Sequence, residues 1–256
     1  DPARTASRQR ATGTRPGHSM AELTPSGTFS AQAIAKGLKP GLYAITDSQL
    51  LPEDRLLVAV EAALRGGAVL VQYREKKAPE PERLKQAQDL AALCHNARVP
   101  LIINDDPELA RRCGAAGVHL GQSDGSLALA RRQLGDHAIV GATCHADLAL
   151  ASRADADGAD YLAFGRFFNS TTKPDAPVAE PSVLTKSRQF GKPVTAIGGI
   201  TIDNGEGLIR AGADLLAVVG GLFDGDVATI EERARRFSQL FAQHHPLFSS
   251  SVSQES

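Results

Sequence analysis

Tryptophan is absent from this chain of 256 residues, methionine occurs once, at Met20, and cysteine occurs three times. Cys94, Cys113 and Cys144 are far apart, with no CxxC or other zinc-binding spacing. A sparse, odd count also argues against a disulfide framework. Cys94 and Cys113 fall in stretches of helical period, where a free cysteine packs as a small hydrophobe. No uninterrupted apolar stretch approaches the roughly 18 residues needed to cross a bilayer. An excess of one charge is missing too. The chain has 28 Lys plus Arg against 29 Asp plus Glu, a formal net charge of −1, without the basic surplus of a dedicated nucleic-acid binder. These absences exclude membrane and nucleic acid as partners and suggest a cytoplasmic protein. What is present, 42% hydrophobic and 22% charged residues, is ordinary globular usage.

The two ends differ from the rest. Residues 1–19 carry Arg4, Arg8, Arg10 and Arg15 among Ser, Thr, Gly and Pro, with Asp1 as the one acid. Such a composition cannot supply a core. No apolar signal-peptide core follows it, and Met20 is the natural start. The expected organisation is a mostly disordered extension over 1–39, one domain over 40–243, and a frayed Ser-rich tail over 244–256.

Within that domain, short runs rich in Val, Ile and Leu alternate with longer stretches of helical period. The runs are 41–46, 69–74, 100–105, 117–120, 139–144, 161–166, 193–199 and 215–221. Continuous apolar runs of this length are expected of strands covered on both faces. Leu56, Val60, Ala63 and Leu64 form one helical stripe; Leu84, Ala87, Leu90, Ala91 and Cys94 form another. A small motif recurs just before strands: Gly66-Gly67-Ala68, Gly114-Ala115-Ala116-Gly117, Gly158-Ala159-Asp160 and Gly212-Ala213-Asp214. Its glycines suit left-handed helix ends. Eight such units in about 200 residues predict a compact (β/α)8 barrel. An open doubly wound sheet is the alternative, and it would more often carry a glycine-rich loop after its first strand. Asp47-Ser48-Gln49-Leu50 is no such loop.

In a barrel the chemistry gathers at the C-terminal strand ends. There the sequence places Gln72, Arg74 and Lys76 after strand 2, Asn104 and Asp105 after strand 3, and Asp124 after strand 4. Thr143 and His145 end strand 5; Ser170, Thr172 and Lys173 follow strand 6; Gly198-Gly199 and Gly220-Gly221 end strands 7 and 8. Asp105 and Asp124 on neighbouring strands suit Mg²⁺, which takes carboxylates, waters and substrate phosphate oxygens. Arg74, Lys76 and Lys173, with the Ser170 and Thr172 hydroxyls, suit a polyphosphate. The paired glycines offer bare N–H groups for a second phosphate. Each signal has a plainer reading: Arg74 and Lys76 as solvated edge residues, Asp105-Asp106-Pro107 as a helix start, His119 as a satisfied core histidine, and Gly198-Gly199 as a tight turn. Their coincidence around one mouth favours the chemical one.

These residues resemble the thiamine phosphate synthase, or thiamine-phosphate pyrophosphorylase, family. The carriers are the runs 42–47 (LYAITD), 71–76 (VQYREK), 101–105 (LIIND), 117–124 (GVHLGQSD), 164–174 (FGRFFNSTTKP), 196–200 (AIGGI) and 217–219 (AVV). The resemblance spans about four-fifths of the chain, in order. It implies a transferase that joins hydroxymethylpyrimidine pyrophosphate to a thiazole phosphate through a dissociated pyrimidine cation, giving thiamine phosphate and pyrophosphate. Carried over by position, Arg74, Lys76, Asn104 and Lys173 would meet the pyrophosphate. Asp105 and Asp124 would hold one Mg²⁺ ion, and Gln72 and Thr143 would sit against the pyrimidine or its pyrophosphate. Arg74, Lys76, Lys173 and Thr143 would act on the reaction itself. Ser170 and Thr172 would flank the thiazole phosphate, with Gly198, Gly199, Val219 and Gly220 around it. The departures are Ser170 where the family often has Thr, Thr143 where it often has Ser, and Gly220 where it commonly has Ser. The resemblance also suggests a homodimer. A thiazole tautomerase on the same scaffold and a non-catalytic phosphate sensor are the competing readings; the pyrophosphate and metal positions count against both.

Overall fold

The computed structural model describes residues 23–123, 125–169 and 178–249. Eight strands, β1 Gly41–Ile45, β2 Leu70–Tyr73, β3 Leu101–Asn104, β4 Gly117–Leu120, β5 Ile139–His145, β6 Tyr161–Phe164, β7 Val194–Ile197 and β8 Leu215–Val218, close into a barrel in sequence order. Every neighbouring pair is parallel, β8 returning to β1. The helices are α1 Ala31–Ala35, α2 Glu53–Arg65, α3 Glu80–Ala97, α4 Pro107–Cys113, α5 Ser126–Leu134, α6 Leu148–Ala156, α7 Ser182–Ser187, α8 Gly205–Ala211, α9 Gly220–Phe223, α10 Val227–His244 and α11 Pro246–Ser249. This is a TIM barrel, as the alternation of runs predicts. The strands are shorter than several of the runs because their last residues leave the sheet to build the mouth; Gly220 and Gly221 already belong to α9. No helix of the described residues is long and apolar enough to cross a membrane.

Two apolar layers account for the continuous hydrophobicity of the strands. Leu42, Ala44, Val71 and Tyr73 point outward into the helical shell. Tyr43, Ile45, Leu70, Ile102, Ile139, Tyr161, Leu215 and Ala217 point into the barrel. The helices bury the stripes read from the sequence: Leu56, Val60 and Ala63 on α2, and Ala87, Leu90 and Cys94 on α3. Asp226 caps α10, which lays Ile230, Ala234, Phe237 and Phe241 across α2 and α8.

The domain limits read from composition need correcting at both ends. Residues 26–38, placed by composition in a disordered extension, close the barrel floor. Ser30 caps α1, and Phe29, Ala33 and Leu38 are buried in the inner apolar cluster. From the C-terminal side His245 is 2% exposed and Phe248 packs on the outer cluster. Few but large apolar side chains do this, so average composition misses them.

The recurring Gly-Ala-Asp triplet also belongs to this floor. Its glycines adopt the predicted positive φ, 89° at Gly158 and 122° at Gly212. Asp160 accepts from the Val140 N–H at 2.8 Å and from Arg131 at 2.6 Å. Asp214 accepts from the Val194 N–H at 2.9 Å and from Arg188 at 3.3 Å. Each aspartate thus ties its own strand to the start of the preceding one.

Candidate active site

All eight strands run the same way, so their C-terminal ends share one mouth. Gln72, 3% exposed, is the last inward residue of β2. Its Nε2 donates to the Tyr43 hydroxyl at 2.8 Å. Beyond it the chain leaves the sheet, the Arg74 N–H donating to buried Thr46 Oγ1 at 3.1 Å. The side chains of Arg74 and Lys76 are exposed. Glu75 is turned away to accept the N–H groups of Lys77 and Ala78. Neither Arg74 nor Lys76 forms a salt bridge among the described residues, so both cations are free for an anion at the mouth.

Asn104 ends β3, and its amide donates to Asp105 Oδ2 at 3.3 Å. Asp105 sits at φ 61°, a left-handed conformation uncommon for a residue with a side chain. Its N–H is held by the His119 carbonyl at 2.9 Å, and its carboxylate is exposed. Capping falls to the next residue: Asp106 Oδ1 accepts from the Leu109 N–H at 2.9 Å, starting α4. The two aspartates therefore divide the roles that the sequence left open between them.

Thr143 lies at a bulge, where the β5–β6 register shifts between Thr143 and His145. Bulges re-aim side chains next to active sites. Gln122 secures this one by donating to the Thr143 carbonyl at 2.9 Å. The Thr143 hydroxyl is 2.8 Å from His119 Nε2, and His119 Nδ1 is 2.7 Å from the Tyr161 hydroxyl. Tyr161 in turn lies 2.7 Å from the Tyr43 hydroxyl. His119 is a satisfied histidine of the barrel interior; burial lowers its pKa to about 4 against a smaller opposing pull from Asp105. Gly141 makes room for this arrangement: a Cβ there would stand 2.0 Å from Tyr161 Cζ.

On the far side, Gly198 and Gly199 adopt φ 107° and 66° and pack against the segment that leaves β6. The Phe168 N–H donates to the Gly198 carbonyl at 3.1 Å. A Cβ on Gly199 would lie 2.7 Å from the Phe168 carbonyl oxygen. The turn is tight, as its plainer reading supposes, and it leaves Gly199 exposed at the mouth. Val219 precedes α9 and Gly220 opens it, with no heavy atom of the described residues within 4 Å of a Cβ at Gly220.

The structure thus gathers Gln72, Arg74, Lys76, Asn104, Asp105, Thr143, Gly198, Gly199, Val219 and Gly220 at one end. Asp124, Ser170, Thr172 and Lys173 lie outside the described residues. Among the described residues no group of three His, Cys, Asp or Glu side chains converges as a metal site. The sequence reading missed Tyr43 and Tyr161 as partners of the site; strand alternation marks both as inward but does not say what they meet.

A family model described as thiamine monophosphate synthase matches residues 42–222. A thiamine-phosphate synthase of Marinobacter nauticus is 64% identical over 216 residues, 84% of this chain and 97% of that protein. A solved thiamine phosphate pyrophosphorylase from Pyrococcus furiosus superposes with a TM-score of 0.72 at 30% identity, covering 82% of this chain and 98% of that one. A thiamine phosphate pyrophosphorylase from Bacteroides thetaiotaomicron, at 16% identity and TM-score 0.58 over 80% of this chain and 99% of its own, shares the fold.

Proposed function

The chain belongs to the thiamine monophosphate synthase family, and on that footing we propose that it joins hydroxymethylpyrimidine pyrophosphate to a thiazole phosphate, giving thiamine phosphate and pyrophosphate. The observation that carries this reading is the pair of exposed cations, Arg74 and Lys76, without a salt bridge among the described residues, at the same mouth as the exposed Asp105 carboxylate. In the reaction the bond from the pyrimidine methylene to the pyrophosphate oxygen breaks, and its electron pair leaves with the pyrophosphate. The thiazole nitrogen then closes the new C–N bond on the pyrimidine cation. Negative charge grows on the leaving group. Arg74, Lys76 and Lys173 therefore bind the transition state more tightly than the substrate, and Asn104 adds a neutral donor.

Gln72 and Thr143 orient the pyrimidine. Ser170, Thr172, Gly198, Gly199, Val219 and Gly220 seat the thiazole phosphate, which brings the thiazole nitrogen within reach of the cation. The donors at β3 fit Mg²⁺: an exposed carboxylate on Asp105 whose described partner is an amide, oxygen ligands of the kind this ion takes. Asp105 and Asp124 would hold one such ion per site, which when bound neutralises pyrophosphate charge. No general base or covalent nucleophile is needed.

The test is product formation from both substrates by the purified chain, run beside a thiazole tautomerase assay. Mg²⁺-dependent release of thiamine phosphate and pyrophosphate is expected; tautomerase activity alone would overturn the reading. A homodimer follows from the same family reading, and light scattering measures it.

A further inference from the structure

Five side chains from five strands form one hydrogen-bonded chain through the barrel: Gln72, Tyr43, Tyr161, His119 and Thr143. It has four links, and each link takes one proton. Tyr43 and Tyr161 supply one each, and a neutral imidazole supplies one. The fourth must come from one end, either the Gln72 amide or the Thr143 hydroxyl. It cannot come from both, because two protons would then meet in a single link.

Gln72 Nε2 is the donor at its end. Tyr43 therefore donates to Tyr161, and Tyr161 donates to His119 Nδ1. His119 carries its proton on Nε2 and donates it to Thr143 Oγ1. That leaves the Thr143 proton and Gln72 Oε1 without a partner among the described residues, at the mouth.

We infer that Tyr43, Tyr161 and His119 are positioning residues that fix the hydrogen-bonding sense of the pyrimidine subsite, so that Gln72 offers an acceptor and Thr143 a donor. A heteroaromatic ring with an exocyclic amine beside a ring nitrogen complements that pair; reversing the chain would reverse both ends at once. The inference rests on the assignment of Gln72 and Thr143 to the pyrimidine substrate in the proposed function.

The surroundings favour a fixed arrangement. The Tyr43 and Tyr161 rings meet edge to face at 5.8 Å, and His119 stacks on Tyr161 at 5.5 Å. Burial pushes both tyrosine hydroxyls up, so they keep their protons. Gln72, Tyr43 and Tyr161 are buried and His119 and Thr143 half-buried, so a broken link strands a polar group inside the barrel.

Two measurements test it. In the full chain labelled with ¹⁵N-histidine, the signals lost in His119→Gln belong to His119. They are expected to show a protonated Nε2 and a bare Nδ1; a protonated Nδ1 would overturn the inference. Tyr161→Phe keeps the ring and removes two links. It is expected to raise KM for the pyrimidine pyrophosphate about tenfold, on the order of one lost hydrogen bond, with KM for the thiazole phosphate unchanged. Tyr43→Phe should repeat the pattern should Tyr161→Phe fail to fold. Equal changes in both KM values, or no change in either, would refute the positioning role. If the wild-type chain makes no thiamine phosphate, the proposed function falls, while the His119 tautomer still decides the relay.

Discussion

The Thr28 hydroxyl donates to Asp214 Oδ2 at 2.6 Å across 186 residues of chain. Asp214 is fully buried and also accepts from His245 at 2.8 Å, so one carboxylate joins the segment before β1, the start of β8 and the segment after α10. Asp214→Ala strands several buried donors at once. It is expected to cost about 3–5 kcal/mol, read as a lowered urea midpoint, while both KM values of the folded fraction hold because the floor lies opposite the mouth. Phe29→Ala empties the same floor and is expected to cost about 3–5 kcal/mol.

His119 makes the barrel acid-sensitive. Its folded pKa of about 4 lies below the ordinary 6.5. Between those values the unfolded chain takes up a proton that the folded chain does not. This contribution to stability is complete above pH 6.5 and is lost as pH falls toward 4. The loss is on the order of 2–3 kcal/mol. His119→Gln is expected to have a smaller difference between its urea midpoints at pH 7 and pH 4.5 than the parent; an identical difference would count against burial of the neutral ring.

Lys173→Ala is expected to lower kcat about 100-fold with little change in KM for the thiazole phosphate, because its charge is assigned to the leaving group. Steady-state kinetics with each substrate varied in turn decides this. An unchanged kcat removes Lys173 from the chemistry.

Chelation by EDTA is expected to abolish turnover, and added Mg²⁺ to restore it. Asp105→Asn keeps the shape of the side chain and removes its charge. It should raise the Mg²⁺ concentration for half-maximal rate at least about tenfold, the scale of losing one charged oxygen ligand. A Mg²⁺ titration identical to the parent's would exclude Asp105 as a ligand.

Gly220 and Gly199 should respond oppositely to the same substitution. Gly220→Ser adds a hydroxyl where no heavy atom of the described residues stands within 4 Å of the new Cβ. It is expected to lower KM for the thiazole phosphate about fivefold, the worth of one hydrogen bond. Gly199→Ser meets the Phe168 carbonyl at 2.7 Å in a left-handed backbone and is expected to raise that KM. Equal effects at both positions would contradict the geometry of the two glycine pairs.

The sequence by itself determined the eight strand–helix units, because strand burial on both faces and helical period are local patterns. It also placed Gln72, Arg74, Lys76, Asn104, Asp105 and Thr143 at the strand ends, since a residue at the end of an apolar run must sit at the end of a strand. What only the tertiary structure decided is which distant residues meet. Alternation marks Tyr43, Tyr161 and His119 as inward, yet barrel closure and the room left by Gly141 bring their polar atoms into one chain between Gln72 and Thr143. The Gly-Ala-Asp repeat shows the same division. Its glycines announce helix ends, but Asp160 and Asp214 gain their roles from Val140 and Val194, each 20 residues earlier. The floor was illegible for a related reason: Phe29, Ala33 and Leu38 carry no period of their own, and burial comes to them only when a closed barrel offers an open end to fill.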